Sequence, residues 1–298
     1  MLERIPVTLL ILATVVLAAC ASMEQRQRTV YSAATQVDGD MGTQRAYTGS
    51  VLRVATLNIA HGRKSSISQF LVQQNTFKQN LDDIADVLKQ YRPHVVALQE
   101  ADAASLWSGN FDHVNYLASN AGYPWRVHAK NSESWFYSYG TALLSVSPPS
   151  ETIKHTFEPS PPTLDKGFTL AQIEWLTADG ERPREVDIIS VHLDFSRQSV
   201  REKQVAEILE ILSTRSNPVI IMGDFNSEWL AEVSVIKELA TQSRFVTYEP
   251  ENGNYFSYKN KRLDWILITN DMEFVKYQVL PDTLSDHAMV VADIRFRE

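Results

Sequence analysis

The sequence predicts a layered α/β domain. Short β-rich apolar runs alternate along the chain with amphipathic helical patterns, and most of the runs are apolar almost throughout, as in strands covered on both faces. Composition agrees with a packed fold. Over 298 residues, 44% hydrophobic and 21% charged side chains are enough for a substantial core and exclude a disordered chain, while 11 glycines exclude Gly-rich low-complexity structure. The net charge of -8 disfavours a protein that coats nucleic acid, which needs a positive footprint. It leaves catalysis on phosphates open, since carboxylates can hold a cation that supplies the positive charge.

The first element is a targeting segment. In MLERIPVTLLILATVVLAAC, Arg4 gives a weak basic start and Val7 to Ala19 form an apolar run too short for a comfortable membrane span. Small residues Ala18 and Ala19 precede Cys20, the only cysteine, so disulfides, zinc knuckles and cysteine nucleophiles are excluded from the body of the chain. Leu17 to Cys20 resembles the lipobox of bacterial lipoproteins, which implies cleavage before Cys20 and its acylation. The expectation is a signal peptide over 1–19, a lipidated polar tether over 20–49, and one domain over 50–298 held by lipid outside the cytoplasm in the cell envelope.

Within the domain, strands are predicted at 51–57, 94–98, 141–146, 185–193, 218–222, 263–269 and 288–296. Helices are predicted over Lys78–Tyr91, stopped by Pro93, and over Phe111–Ala121, closed by Gly122. A third covers Ser199–Leu212, with Ser199 and Glu202 spaced as a capping box, and Glu228–Ala240 is a weaker fourth.

Unusual polar residues gather at strand ends. Asn58, Glu100, His192 with Asp194, and Asp224 with Asn226 follow four apolar runs, whereas Asp264 and Asp286-His287 precede two others. If the last two strands run antiparallel to the first four, all of these groups meet at one edge. Glu100, Asp224 and Asp286 would then repel one another unless a hard cation neutralised them, and oxygen donors without thiolate suit Mg²⁺ or Mn²⁺. Two His and two Asn add donors for phosphoryl oxygens, a set that describes phosphate-ester hydrolysis. Taken singly, each residue also has a plain structural reading as a turn former, solvated rim acid or core histidine.

The same residues resemble the motif set of the endonuclease/exonuclease/phosphatase superfamily, in chain order: TLN (56–58), LQE (98–100), YGTALLS (139–145), VHLD (191–194), GDFN (223–226), LDWI (263–266) and SDH (285–287). The resemblance implies a DNase I-like four-layer α/β sandwich of two packed mixed β-sheets flanked by helices. It implies Glu100 as principal Mg²⁺ ligand with Asn58 and Asp286 assisting, Asp224 orienting or deprotonating water, and Asn226 and His192 donating to phosphate. His287, held by Asp264, would stabilise charge or move a proton, the assignment of the base between Asp224 and His287 staying open. Two positions depart from the pattern. His61 stands near where many relatives carry a second acid, and Val146 where Arg is common.

Substrate class stays open between phospholipid headgroup, small phosphoester and nucleic acid, the last as substrate only, and no obligate protein partner is evident. Arg63, Lys64, Arg197, Arg201, Lys259, Lys261 and Arg262 are placed to steer an anion, with Asp194 and Arg201 as accessory candidates. The aromatic stretch Asn131–Tyr139 suits base stacking, a lipid interface or a half-buried strand. A lipid anchor tilts the choice towards a lipid or small phosphodiester. An envelope nuclease and a non-catalytic binding lipoprotein are the competing readings. No G-x-S-x-G, P-loop or HExxH motif occurs.

Overall fold

Strand-forming runs with apolar residues on both faces must be covered on both faces, and the computed structural model shows how this is done. It describes residues 28–37, 46–177, 183–242 and 244–298. The expected signal peptide and Cys20 lie outside the described residues.

Labelled in chain order, the strands begin with β1 (Thr29–Ser32), β2 (Thr35–Gln36), β3 (Tyr47–Thr48) and β4 (Leu52–Asn58). Helix α1 (Gln74–Tyr91) leads to β5 (Val95–Asp102), and α2 (His113–Ala121) leads to β6 (Trp125–Glu133), β7 (Ser138–Ser145), β8 (Glu151–Thr156), β9 (Gly167–Leu176) and β10 (Arg184–His192). After α3 (Gln198–Ser213) come β11 (Val219–Asp224), α4 (Val235–Gln242), β12 (Phe245–Thr247), β13 (Asp264–Thr269), β14 (Met272–Val279) and β15 (Val290–Phe296).

One sheet runs β14-β15-β4-β5-β7-β6-β2 and the other β1-β8-β9-β10-β11-β13-β12, with β3 joined to β9. Each is mixed, with a parallel pair near its centre: β4 with β5, and β10 with β11. Alternation along the strands explains the continuous apolar runs. Val54, Ile188 and Ile220 face the seam between the sheets, while their neighbours Ala55, Ile189 and Ile221 face outward. The outer face of the first sheet packs on Leu81 and Ile84 of α1 and Leu117 of α2, and that of the second on Val205 and Ile208 of α3 and Leu239 of α4. The result is the expected four-layer sandwich.

Several boundaries differ from expectation. The tether does not extend to residue 49, because β1 pairs with β8, β2 with β6 and β3 with β9, so described residues from Arg28 onward already belong to the sheets. Polarity along 28–37 and 46–49 reflects short strands added to the sheets, which need little burial, rather than a free linker. The Ser199–Glu202 capping box is not formed. Helix α3 starts at Gln198, and Asp194 Oδ1 accepts from the amides of Ser196 and Arg197 instead. The fourth helix begins only after Ser234, whose hydroxyl accepts from Lys237 N. The stretch Asn131–Tyr139 is the β6–β7 hairpin, with Trp135 at its tip 85% exposed. Strands β6, β8, β9 and β14 escape the apolar-run criterion, since polar residues interrupt each of them.

Register fixes the site. Asn58 lies opposite Gln99, His192 opposite Asp224, Asp224 opposite antiparallel Asp264, and Val290 opposite Thr56. The carboxyl ends of β4, β5, β10 and β11 and the amino ends of β13 and β15 therefore share one end of the sandwich, as the strand-end reading required.

Candidate active site

At that end lies a cleft of ≈ 380 Å³ lined by Asn58, Glu100, His192, Asp224, Asn226, Asp286 and His287, with Arg63, Phe195, Tyr258 and Lys261 at its walls. A larger concavity of ≈ 580 Å³ at the opposite end is lined by Glu174, Arg184, Glu185 and Pro218 without comparable convergence of donors and acids.

Glu100 reaches the cleft through a β-bulge. Leu98 pairs with Ala142 but Ala101 with Gly140, so the extra residue leaves the ladder, and Glu100 takes a left-handed φ of 49°. Burial opposes its ionisation, yet the positive charges of His61 first, then of Lys166 and His287, outweigh that and hold the carboxyl down at about 2. His61 Nε2 lies 3.4 Å from Glu100, and its Nδ1 lies 2.9 Å from the buried carboxylate of Asp102. Against burial, Asp102 and Glu100 together raise the His61 pKa. His61 thus sits beside the principal acid, and Asp102 is the partner that sequence reading missed.

Asn58 ties the sheets together. Its Oδ1 accepts from Ala60 N at 3.0 Å, and its Nδ2 donates to Asp224 Oδ2 at 3.1 Å. Asp224 also accepts from Asn226 N at 3.0 Å and faces His192 Nε2 at 3.6 Å and His287 Nε2 at 3.8 Å. Gly223 permits this closeness. Its φ is +150°, and a Cβ there would fall 2.0 Å from Val191 O on the adjoining strand. Asn226 turns its side-chain amide to Leu193 O, at 3.1 Å. Asp286 pairs with Arg63 at 2.8 Å.

His287 lies between two carboxylates. Its Nδ1 is 2.7 Å from Asp264 Oδ2, and Tyr258 packs over its ring at 4.7 Å. Burial disfavours the charged imidazole, but Asp264 and Asp224 overcome it and raise the pKa to about 10. Asp224 moves upward too, to about 7, chiefly by burial and with repulsion from Asp264, against the pull of His287. Opposite, Lys166 at the entrance to β9 is buried with Nζ 3.3 Å from both ring nitrogens of His192. Burial lowers the Lys166 pKa despite Glu100 and Asp224, and burial plus Lys166 lowers that of His192, which is therefore neutral. Lys166 was not singled out from sequence. A lone Lys ahead of an apolar run carries no local signal.

Two accessory candidates stand outside the cleft lining. The Asp194 carboxylate is fully buried and spent on Thr163, Ser196 and Arg197, which keep its pKa near 2 against the effect of burial. Arg201 donates to Asp194 O at 3.0 Å. Both brace the start of α3, a correction to their expected roles.

The donors fit a hard divalent cation. Glu100 offers an ionised carboxylate to the cleft, which Asn58 and Asp286 also line, and no cysteine lies among the described residues. The tightest His and carboxylate group among the described residues is Asp224, Asp264 and His287, whose ligand atoms lie within 4.8 Å of one another. Because the Nδ1 of His287 is engaged by Asp264, this group works better as an oriented proton-bearing chain than as a metal cage.

Comparison with known proteins agrees with this geometry. The Endonuclease/Exonuclease/phosphatase family profile matches residues 55–287. Similar solved structures include an endonuclease/exonuclease/phosphatase family protein from Leptotrichia buccalis, with 17% identity, 82% of this chain and 100% of that chain covered, and a TM-score of 0.62. The mannosyl-6-phosphatase of Bacteroides thetaiotaomicron shows 16% identity, 82% and 100% coverage and a TM-score of 0.61. The human Nocturnin catalytic domain with bound sulfate shows 18% identity, 90% and 98% coverage and a TM-score of 0.60. No curated protein matches the chain. With most of its length matched by the profile, and Asn58, Glu100, His192, Asp224, Asn226, Asp286 and His287 gathered in one cleft, the chain belongs to the endonuclease/exonuclease/phosphatase family of metal-dependent phosphoester hydrolases.

Proposed function

We propose that this protein is a Mg²⁺-dependent phosphodiesterase acting on phospholipid headgroups in the cell envelope, anchored through Cys20. The observation that carries the chemistry is the Asp264–His287···Asp224 chain, with His192 3.6 Å from Asp224 and Lys166 3.3 Å from His192. Glu100, with Asn58 and Asp286, would hold the cation, which supplies Lewis-acid charge to the phosphate. Asp224, whose raised pKa suits a base near neutrality, takes a proton from the attacking water. As the new P–O bond forms and the ester bond breaks, the His287 imidazolium gives its Nε2 proton to the departing alkoxide, and Asp264 fixes its tautomer. Lys166 and neutral His192 bind phosphoryl oxygens.

Charge at the rim supports a small headgroup over a polynucleotide. Arg63 is bound to Asp286, Lys64 to Asp83 and Lys261 to Glu228, while Arg197 and Arg201 are turned to Asp194. Arg262 packs over Trp265. Most expected anion-steering groups are thus committed internally, and little of a positive track is left.

The test assays the full chain on phospholipid vesicles, supercoiled plasmid, an aryl phosphodiester and an aryl phosphomonoester, each with Mg²⁺ and with chelator. Activity should need metal, favour diesters, and form a bell between about pH 7, from Asp224, and about pH 10, from His287. Full activity of Asp224→Asn would refute the mechanism. Turnover of plasmid alone would replace the substrate class with nucleic acid, and metal binding with no turnover on any substrate would favour a binding protein.

A further inference from the structure

The exposed apolar side chains are distributed unevenly. The loops at the cleft end expose Ile67, Leu71, Leu106, Trp135, Phe195 and Leu230, each more than 60% accessible. Among the described residues, the loops of the opposite end expose only Val146, at 38%. Contiguity is built in on one side of the mouth. Gln74 Nε2 bonds Gly109 O between the loops carrying Leu71 and Leu106, and Trp107 N bonds Phe136 O beside Trp135. Phe136 stacks on Trp107, which packs on His61 next to Glu100. Single exposed apolar residues are ordinary, but a ring of them on loop after loop around a catalytic mouth marks a contact surface.

The path of the chain identifies what it contacts. Thr29 pairs with His155, which pairs with Phe168, which pairs with Val191, so β1 begins in the row next to His192. β1 is antiparallel to β8 and runs away from that end. Arg28, the first described residue, therefore stands at the cleft end, three strand spacings or about 14 Å from β10. Only eight residues, 20–27, separate the fold from Cys20 inclusive, a reach of at most about 28 Å. An anchor there keeps this end of the molecule, and not the other, beside the membrane.

We infer that the cleft-bearing end rests on the bilayer, its apolar loop residues entering the interface and the cleft opening onto the headgroups of the membrane that holds Cys20. The inference builds on the anchor reading above and adds an orientation to it. Trp135, amphipathic and at a hairpin tip, is suited to the headgroup layer.

The full chain, reconstituted in phosphatidylethanolamine and phosphatidylglycerol vesicles containing dibrominated phosphatidylcholine, provides the test. Bromine should quench a tryptophan component that Trp135→Phe removes. The triple variant Ile67→Ser, Leu71→Ser, Trp135→Ser should lose at least about tenfold in hydrolysis of vesicle-borne substrate. It should retain its rate on a soluble aryl phosphodiester. Quenching requires no turnover, so it reads orientation even if phospholipids are not substrates, and the mass of the N-terminal peptide reports Cys20 acylation separately. Acylated protein with no Trp135-dependent quenching overturns the orientation while leaving the anchor. Unmodified Cys20 overturns the anchor reading and the orientation with it. Parallel losses on both substrates, or a loss confined to a single-stranded oligonucleotide, would show that the ring does something other than bind membrane.

Discussion

The two ends of this sandwich are built from the same strands and follow opposite rules. At the far end, charges are closed off in pairs: Arg53 forks onto Asp293 at 2.6 and 2.9 Å, and Arg215 reaches Asp187, Glu151 and Gln172. At the cleft end, among the described residues, Lys166 is buried without an ion pair, Asp264 Oδ1 has no partner, and Asp224 and Asp264 repel one another. Backbone strain divides in the same way. Among the described residues, every positive-φ residue other than glycine except Arg92 lies at the cleft end, including Ala60, His61, Glu100 and Asn226. Each such conformation costs on the order of 1–3 kcal/mol. One end holds the fold together, and the other spends part of that stability on unpaired charge and bent backbone aimed at a substrate.

This contrast can be broken by exchanging the properties of the two ends. The largest effect expected is on activity: His287→Ala should lower kcat by ~10²–10⁴ with an unchanged circular dichroism spectrum, and loss of fold instead would mean that the Asp264–His287 pair is a structural clamp. The converse belongs to the far end. Arg215→Met leaves the fully buried Asp187 without its main partner and should cost about 3–5 kcal/mol in chemical denaturation, with kcat of the folded fraction unaltered.

Lys166→Met sharpens the comparison. Removing one preorganised donor to phosphate should lower kcat/KM by ~10²–10³, while Tm stays level or rises because a buried, unpaired ammonium is replaced by an apolar chain of similar length. A fall in Tm would show that Lys166 belongs to the framework. The last effect concerns pH at the far end. His94 Nδ1 accepts from Arg53 N at 2.8 Å, and burial, aided by Arg53, lowers its pKa from 6.5 to about 4. The unfolded chain then binds the proton first, so stability declines as pH falls from 6.5 towards 4, by up to about 1.4 kcal/mol per pH unit. Denaturation midpoints of His94→Gln across this range should show a shallower slope, and an identical slope would assign the loss to other groups.

Much of the site is legible in the sequence. Asn58, Glu100, His192, Asp224, Asn226, Asp286 and His287 all line the cleft, because a polar residue that ends an apolar strand has few places to go except the rim of the sheet. Asp102 and Lys166 were not legible. One looks like a continuation of the Glu100 motif and the other like a solvated residue before a strand, and only packing buries them. Asp194 and Arg201 misled for the converse reason: their spacing placed them at the site, while helix α3 required them as braces.

The sequence by itself determined the layers and the donor set, since periodicity and residue type act locally and survive without knowledge of partners. Tertiary structure decided the rest. The bulge that turns Glu100 outward, the carboxylates that charge His287, and the place of Thr29 at the cleft end all depend on which strands lie next to one another. Fields, burial and register are properties of neighbours distant in sequence, and no local pattern encodes them.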